Sequence, residues 1–552
     1  MLIHKLLLLL LAGMDGARWP TAQAAGGFHI YVNEHPAGRE AFSVTKAEGR
    51  ITWTGRASLE LRSLSITIDS FTLITDAQHR PREAQVRAKV GPLEQEVRAT
   101  FAEGKARSEI TVGGTTTTKE DAVSPDAIVV LSNVPFFLYE VLAQRVDFSR
   151  TEPQDVRVYV LPQIELPLTV RVKGRERISF ANRMDDLIHL ELALVQPTGQ
   201  TISMEMWVDD ARRVIKLVIP GPLFIEVYRE GYERPTERTA PQEYDAWEVT
   251  FPSGEITLAG TLTLPKERAH PLPAVVLIAG SGPHERDQNV AGVKVFAQIA
   301  EHLTPQGFAV LRYDKRGVGR SGGRYETATT YDFADDAQAA VRFLRARPEI
   351  APDRIALIGH SEGAIVALLV AARDPSLRAL VLMAGPATSG EEVILEQQAY
   401  LLRNLPEKDR QERIALQKKI LEAAKTDRGW EEIERAFPPE ARASLAVARS
   451  PWFREFVRLR PLALLERLAC PILILQGGKD TQVFPHHAEA FARALEERGK
   501  VPYEVKIFPR LNHLFQQAET GDLSEYGKFT KRLDSEFLTT LTEWLQKHLK
   551  RR

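Results

Sequence analysis

One pentapeptide constrains this chain more than any other stretch. Gly359-His360-Ser361-Glu362-Gly363 follows an apolar run, Ile355-Ala356-Leu357-Ile358, and precedes a helix-forming run from Ala364 to Ala372. A buried strand, a sharp turn and a helix lift the serine hydroxyl clear of the chain. Glycines two residues before and after Ser361 let the neighbouring backbone approach where a Cβ would clash. This context predicts a nucleophilic serine.

A serine hydroxyl needs a base, and the base needs an acid to orient it. In strand–turn–helix serine enzymes of this type the chain order is Ser, then Asp or Glu, then His. Asp480 follows the apolar run Ile472–Leu475 through Gln476-Gly477-Gly478-Lys479, and His513 follows Tyr503–Phe508 through Pro509-Arg510-Leu511-Asn512. Both are predicted in loops at strand carboxyl ends, where sites on open α/β sheets gather. Ser361, Asp480 and His513 are therefore the candidate catalytic triad. An oxyanion hole needs two backbone N–H groups. Glu362, next to the serine, offers one, and the loop Gly280-Ser281-Gly282-Pro283 offers the other, with Ser281 as the donor. The Glu362 side chain reads as a favourable charge at a helix N-terminus.

The pattern around these residues alternates strands with amphipathic helices from about residue 240 to the C-terminus, as a mostly parallel sheet requires. Expected strands are Trp247–Phe251, Ile256–Leu264, Ala274–Ala279, Ala309–Tyr313, Ile355–Ile358, Ala379–Met383, Ile472–Leu475 and Tyr503–Phe508. Residues 387–467 interrupt the series and are rich in Leu, Ala, Glu, Lys and Arg, so a helical cap is expected there. Trp452 and Phe453 close that insertion, either lining an apolar acyl pocket or docking the cap onto the sheet. The loop Arg312–Ser321 reads as a salt-bridge scaffold rather than a catalytic element.

Residues 27–235 differ. Apolar and polar residues alternate in Val86–Val90, Val97–Phe101 and Met204–Val208, with one helix expected at Phe136–Val146. An all-β domain, a large antiparallel sheet or open barrel, is the expectation. A charged, proline-bearing stretch from Arg229 to Tyr244 reads as a linker. Residues 1–25 carry Lys5, the apolar run Leu6–Leu11 and Ala22-Gln23-Ala24, the pattern of an export signal, so a periplasmic or secreted location is expected. The apolar run is shorter than a bilayer span needs.

Composition narrows the partners. At 552 residues several domains are the prior, and a net charge of -1 points away from nucleic acid and anionic membrane surfaces. One cysteine, Cys470, rules out an intramolecular disulfide and thiolate metal clusters. No H-E-x-x-H or comparable metal spacing occurs.

Taken together, Gly280-Ser281-Gly282-Pro283 with Arg286-Asp287, Asp314-Lys315-Arg316-Gly317-Val318-Gly319, the Ser361 pentapeptide, Ser450-Pro451-Trp452-Phe453, Gln476–Asp480 and Asn512-His513 resemble the bacterial α/β-hydrolase esterases often grouped with serine aminopeptidases. The resemblance covers about Ala240 to the C-terminus. It implies the α/β-hydrolase fold and hydrolysis of small carboxylic esters, usually with short acyl chains, without a cofactor. Ala279 stands where many relatives have histidine. Two other readings remain beside it: a small-peptide serine peptidase or aminopeptidase, and an envelope ligand-binding protein whose hydrolase is accessory.

Overall fold

The computed structural model describes residues 26–550 apart from 62–63, 92, 132–133, 198–200, 222–223, 236–242, 268–270, 438–444 and 527–530. The expected export signal, and most of the expected linker's centre, lie outside the described residues. The chain divides into two compact units, with the boundary in sequence at about residue 238.

The N-terminal unit is one fifteen-stranded sheet. Its edge strands, Thr115–Ala122 and Ile128–Val130, are consecutive in the chain yet sit at opposite ends of the strand order. Fifteen strands laid flat would span roughly 65 Å, whereas the short link from Ala122 to Ile128 reaches about 20 Å at most. The sheet must therefore roll until its edges approach. Side chains link the edge strand Thr115–Ala122 to the strand Gln154–Val160, next to the other edge, and to the turn after it: the Tyr159 hydroxyl donates to Asp121 (2.7 Å), and the Lys119 ammonium donates to the carbonyls of Pro162 (3.1 Å) and Gln163 (2.7 Å). The helix Leu138–Arg145 fills the interior. Just before it, Phe137 is fully buried and stacks on Phe42 (5.1 Å between centroids), while the chain at Gly55 has no room for a Cβ against the Phe137 ring. The helix expected at Phe136–Val146 is therefore present and belongs to the core. The expectation of an antiparallel sheet is corrected in one detail: Ile128–Val130 pairs parallel with Gln154–Val160.

The main sheet of the C-terminal unit has eight described strands: β1 (Tyr244–Ser253), β2 (Ile256–Pro265), β3 (Leu272–Ile278), β4 (Ala309–Tyr313), β5 (Ile350–His360), β6 (Ala379–Met383), β7 (Ile472–Gly477) and β8 (Tyr503–Phe508). Their order is 1-2-4-3-5-6-7-8, with β1 and β2 antiparallel to their neighbours and the rest parallel. Strands β3, β6 and β7 are buried along their whole length, which is why they read as unbroken apolar runs. Around them lie α1 (Val295–Leu303), α2 (Thr330–Arg345), α3 (Glu362–Ala371), α8 (His486–Arg498) and α9 (Ser535–Leu549), numbered with the helices of the insertion. Every residue of α3 is buried, so its hydrophobicity has no polar face.

Between β6 and β7 the chain forms α4 (Gly390–Leu401), α5 (Glu407–Thr426), α6 (Trp430–Ala436) and α7 (Pro451–Arg458), with shorter helical turns at Leu445–Ala448, Pro461–Leu464 and Leu465–Arg467. A Ser389–Glu392 capping box starts α4, and Ser450 caps α7 with Pro451 at its first position. Ile394, Ile420, Leu421, Phe453 and Phe456 join the same hydrophobic core as the sheet, so the insertion is packed down rather than detached.

Candidate active site

The turn from β5 into α3 has the geometry that the pentapeptide demands. Ser361 adopts φ 57°, ψ -122°, a backbone conformation that non-glycine residues rarely hold. Its N–H donates to the Met383 carbonyl (2.8 Å), and its own carbonyl accepts from Ala364 (2.9 Å). Both flanking glycines are needed for space. A Cβ on Gly359 would lie 2.1 Å from the Gly363 carbonyl oxygen, and one on Gly363 would lie 2.1 Å from that of Ile278. The second contact brings α3 directly onto the end of β3, from which the Gly280-Ser281 loop departs.

At the ends of β7 and β8 the acid and the histidine meet. His513 Nδ1 lies 2.7 Å from Asp480 Oδ2. The same carboxylate accepts from Gln476 Nε2 on Oδ2 (3.0 Å) and from the N–H groups of Gln482 (2.8 Å) and Val483 (2.9 Å) on Oδ1. Four donors around a buried carboxylate lock its orientation and require the histidine to present Nδ1–H to it. Asn512 and the turn it closes, with its Oδ1 accepting from the N–H groups of Leu514 (2.9 Å) and Gln516 (3.1 Å), hold the His513 loop.

His360 ties this loop to the serine turn. It is buried, donates through Nε2 to the His513 carbonyl (2.8 Å) and accepts at Nδ1 from Gln288 Nε2 (2.6 Å). Burial holds the His360 imidazole well below its ordinary range, and the neighbouring His513 acts in the same direction. A neutral ring fits one donated and one accepted hydrogen bond. Gln288 Oε1 then accepts the Gly280 N–H (3.2 Å), so a single relay runs from the Gly280 loop through His360 to His513. Neither Gln288 nor this use of His360 is visible in a motif.

The loop Gly280-Ser281 lies against the serine: a Cβ on Gly280 would be 3.1 Å from the Ser361 Cβ. Glu362 N–H is the first of α3, where no intrahelical acceptor exists. The Glu362 side chain stands in the first turn of α3, as expected, but has a further role. It is buried, and its Oε1 accepts from Thr330 Oγ1 (2.8 Å) and Trp452 Nε1 (2.7 Å). Trp452 thus anchors α7 to the serine turn, with its ring stacked on Phe456 at 5.2 Å, and Phe453 is buried in the core. Both contacts favour the docking role for this pair over lining of an acyl pocket.

The Arg312–Ser321 segment is a scaffold of ion pairs. Arg286 Nη2 reaches Asp314 Oδ2 (2.9 Å), and Arg316 Nε reaches Asp336 Oδ2 (2.8 Å). Cys470 is buried, and burial pushes its thiol up to about 11. One cluster, Glu396 with His486 and His487, has the residue types of a metal centre. Its hydrogen bonds argue for another role. His487 Nδ1 accepts the Ala387 N–H (3.1 Å), which places the ring proton on Nε2, and Nε2 donates to Glu396 Oε2 (3.0 Å). That tautomer leaves the ring without a lone pair for a metal. The cluster instead pins α4 to the start of α8.

The strand order and the turn at Ser361 define an α/β-hydrolase. Residues 290–519 match the family described as serine aminopeptidase S33. Esterase EstD of Thermotoga maritima is 29% identical over 330 residues, covering 60% of this chain and 74% of that protein. Protein PA2218 of Pseudomonas aeruginosa is 32% identical over 151 residues, 24% of this chain and 39% of that one. Among solved structures, the Pyrococcus furiosus esterase Pf2001 is 17% identical with a TM-score of 0.38, over 57% of this chain and 97% of that one. These matches support kinship of the C-terminal unit with an esterase family related to the serine aminopeptidases.

Proposed function

We propose that this protein is a serine hydrolase of small carboxylic esters, with Ser361 as nucleophile, His513 as base and Asp480 as the acid that orients it. The observations that carry the reading are a strained serine at the end of β5, whose neighbour His360 is hydrogen-bonded to the His513 carbonyl, and a His513 whose Nδ1 is bound to a buried aspartate. In the reaction Ser361 Oγ attacks the ester carbonyl while His513 Nε2 takes its proton. Asp480 stabilises the imidazolium without accepting the proton. The tetrahedral oxyanion lies between the N–H groups of Ser281 and Glu362. His513 then protonates the leaving alcohol, and water, activated by the same histidine, releases the acid from Ser361.

Ester and amide hydrolysis share this route, so specificity rests on the surroundings. A peptidase reading a free amino terminus needs an available carboxylate, and the cap offers Glu391, Glu392 and Glu396. Each is engaged: Glu391 with Lys425 (3.1 Å), Glu392 in the capping box with Ser389, and Glu396 with His486 and His487. This favours esters. A panel of acyl esters of increasing length beside aminoacyl amides tests it, and higher kcat/KM on the amides would overturn the preference. Export is proposed from residues 1–25, and a mature chain that retains those residues would refute it.

A further inference from the structure

We propose that Lys315 is a positioning residue of the oxyanion hole: by holding the Gly280 carbonyl, it aims the Ser281 N–H at the reacting carbonyl oxygen. The inference rests on the serine-hydrolase reading above and deepens it.

The Gly280 carbonyl and the Ser281 N–H belong to one peptide group. In a planar trans peptide they point in opposite directions, so fixing one aims the other. Lys315 Nζ donates to the Gly280 oxygen at 2.7 Å. The other polar groups around this peptide are also engaged. Gly280 N–H goes to Gln288 Oε1 (3.2 Å), and the Ser281 carbonyl accepts from His284 Nε2 (2.9 Å). Among the described residues nothing accepts the Ser281 N–H, although Gly280 itself lies against the Ser361 Cβ. A donor bonded to the carbonyl also polarises the peptide, making its N–H a stronger donor by roughly 10–30%.

Lys315 has little freedom to do anything else. Its side chain is 4% exposed, and Nζ lies 4.0 Å from the centre of the Phe333 ring. Burial pushes its ammonium below the ordinary lysine range, while the Glu362 carboxylate, 3.7 Å away, acts against that shift. The pairing is informative because Glu362 carries the second proposed donor. One buried ion pair therefore joins the two peptides that must converge on the oxyanion. Thr330 and the Trp452 indole hold the far end of the pair, so cap packing reaches the same peptides.

A lysine that only stabilised the fold would predict something different from one that orients a donor. Lys315→Met strands the Glu362 carboxylate, so the full-length double variant Lys315→Met/Glu362→Gln, which removes both charges, is needed beside it. The measurements are kcat and KM on a small activated ester, and the infrared carbonyl stretch of a slowly deacylating acyl-enzyme. Removing one oxyanion donor costs about 10²–10³ in kcat. A misdirected donor should cost roughly 10²-fold, with KM within about threefold. The acyl carbonyl stretch should move to higher frequency, and both effects should persist in a folded double variant. A folded double variant with kcat within threefold of the parent would overturn the proposal, as would lost kcat with an unshifted stretch. If the parent forms no acyl-enzyme on Ser361 at all, the serine-hydrolase reading itself fails, which is a separate result.

Discussion

Glu40 in the N-terminal unit gives a stability prediction whose size can be worked out. Its side chain lies in the interior of the rolled sheet, 1% exposed, with Oε2 accepting the Phe136 N–H at 2.7 Å. Burial raises its pKa from 4.5 to about 8, against the lowering effect of the Phe136 and Phe137 amides. The folded state thus holds a proton that the unfolded chain releases above pH 4.5. The stabilising contribution is fully present below that pH and is lost as pH rises through the folded value near 8. At pH 7.5, three units above the unfolded value, holding that proton costs about 4 kcal/mol. Glu40→Gln removes the titration while keeping an oxygen for Phe136. Urea unfolding of the full chain, read by hydrogen exchange in peptides from residues 26–235, should show the parent losing stability between about pH 4.5 and 8. The variant should lack that loss, so the two curves separate by roughly 4 kcal/mol near pH 7.5. Curves that stay parallel across this window would refute the reasoning.

Other expectations follow from the site. Asp480→Asn should fold normally yet lower kcat by roughly 10⁴, because His513 loses the partner that fixes its tautomer, and steady-state kinetics beside a melting curve check both halves. Gly280→Ala places a methyl group 3.1 Å from the Ser361 Cβ and the His360 carbonyl oxygen, which should lower kcat on a small ester by roughly tenfold or more. Trp452→Phe removes the indole donor from buried Glu362 while retaining an aromatic ring against Phe456. It should destabilise the C-terminal unit by about 1–3 kcal/mol, seen as an earlier transition in denaturant.

What could be read from the sequence follows from where the constraints are local. The serine turn is legible because Gly359 and Gly363 are dictated by contacts within five residues and by the β3 end. Asp480 and His513 stand out because each follows an apolar run by a few residues, and strand ends of a parallel sheet converge. Lys315 was hidden for the opposite reason. Within Asp314-Lys315-Arg316-Gly317 its neighbours enter ion pairs, and nothing in the spacing says that its own side chain turns inward to a carbonyl 35 residues earlier. The burial of Glu362 is hidden likewise, since a glutamate opening a helix looks the same whether it faces water or a buried lysine and tryptophan. In the N-terminal unit, alternation reveals strands but not their order. The proximity of Thr115–Ala122 and Ile128–Val130, at opposite ends of one sheet, is a property of the roll and has no local signature.

A single labelling experiment decides whether Ser361 is the nucleophile. The full chain is treated with a fluorophosphonate probe, digested and mapped by mass spectrometry, in parallel with Ser361→Ala. One adduct is expected, on the peptide containing Gly359–Gly363, and it should disappear in the variant together with ester turnover. An adduct on another residue, or undiminished labelling of Ser361→Ala, would contradict the assignment.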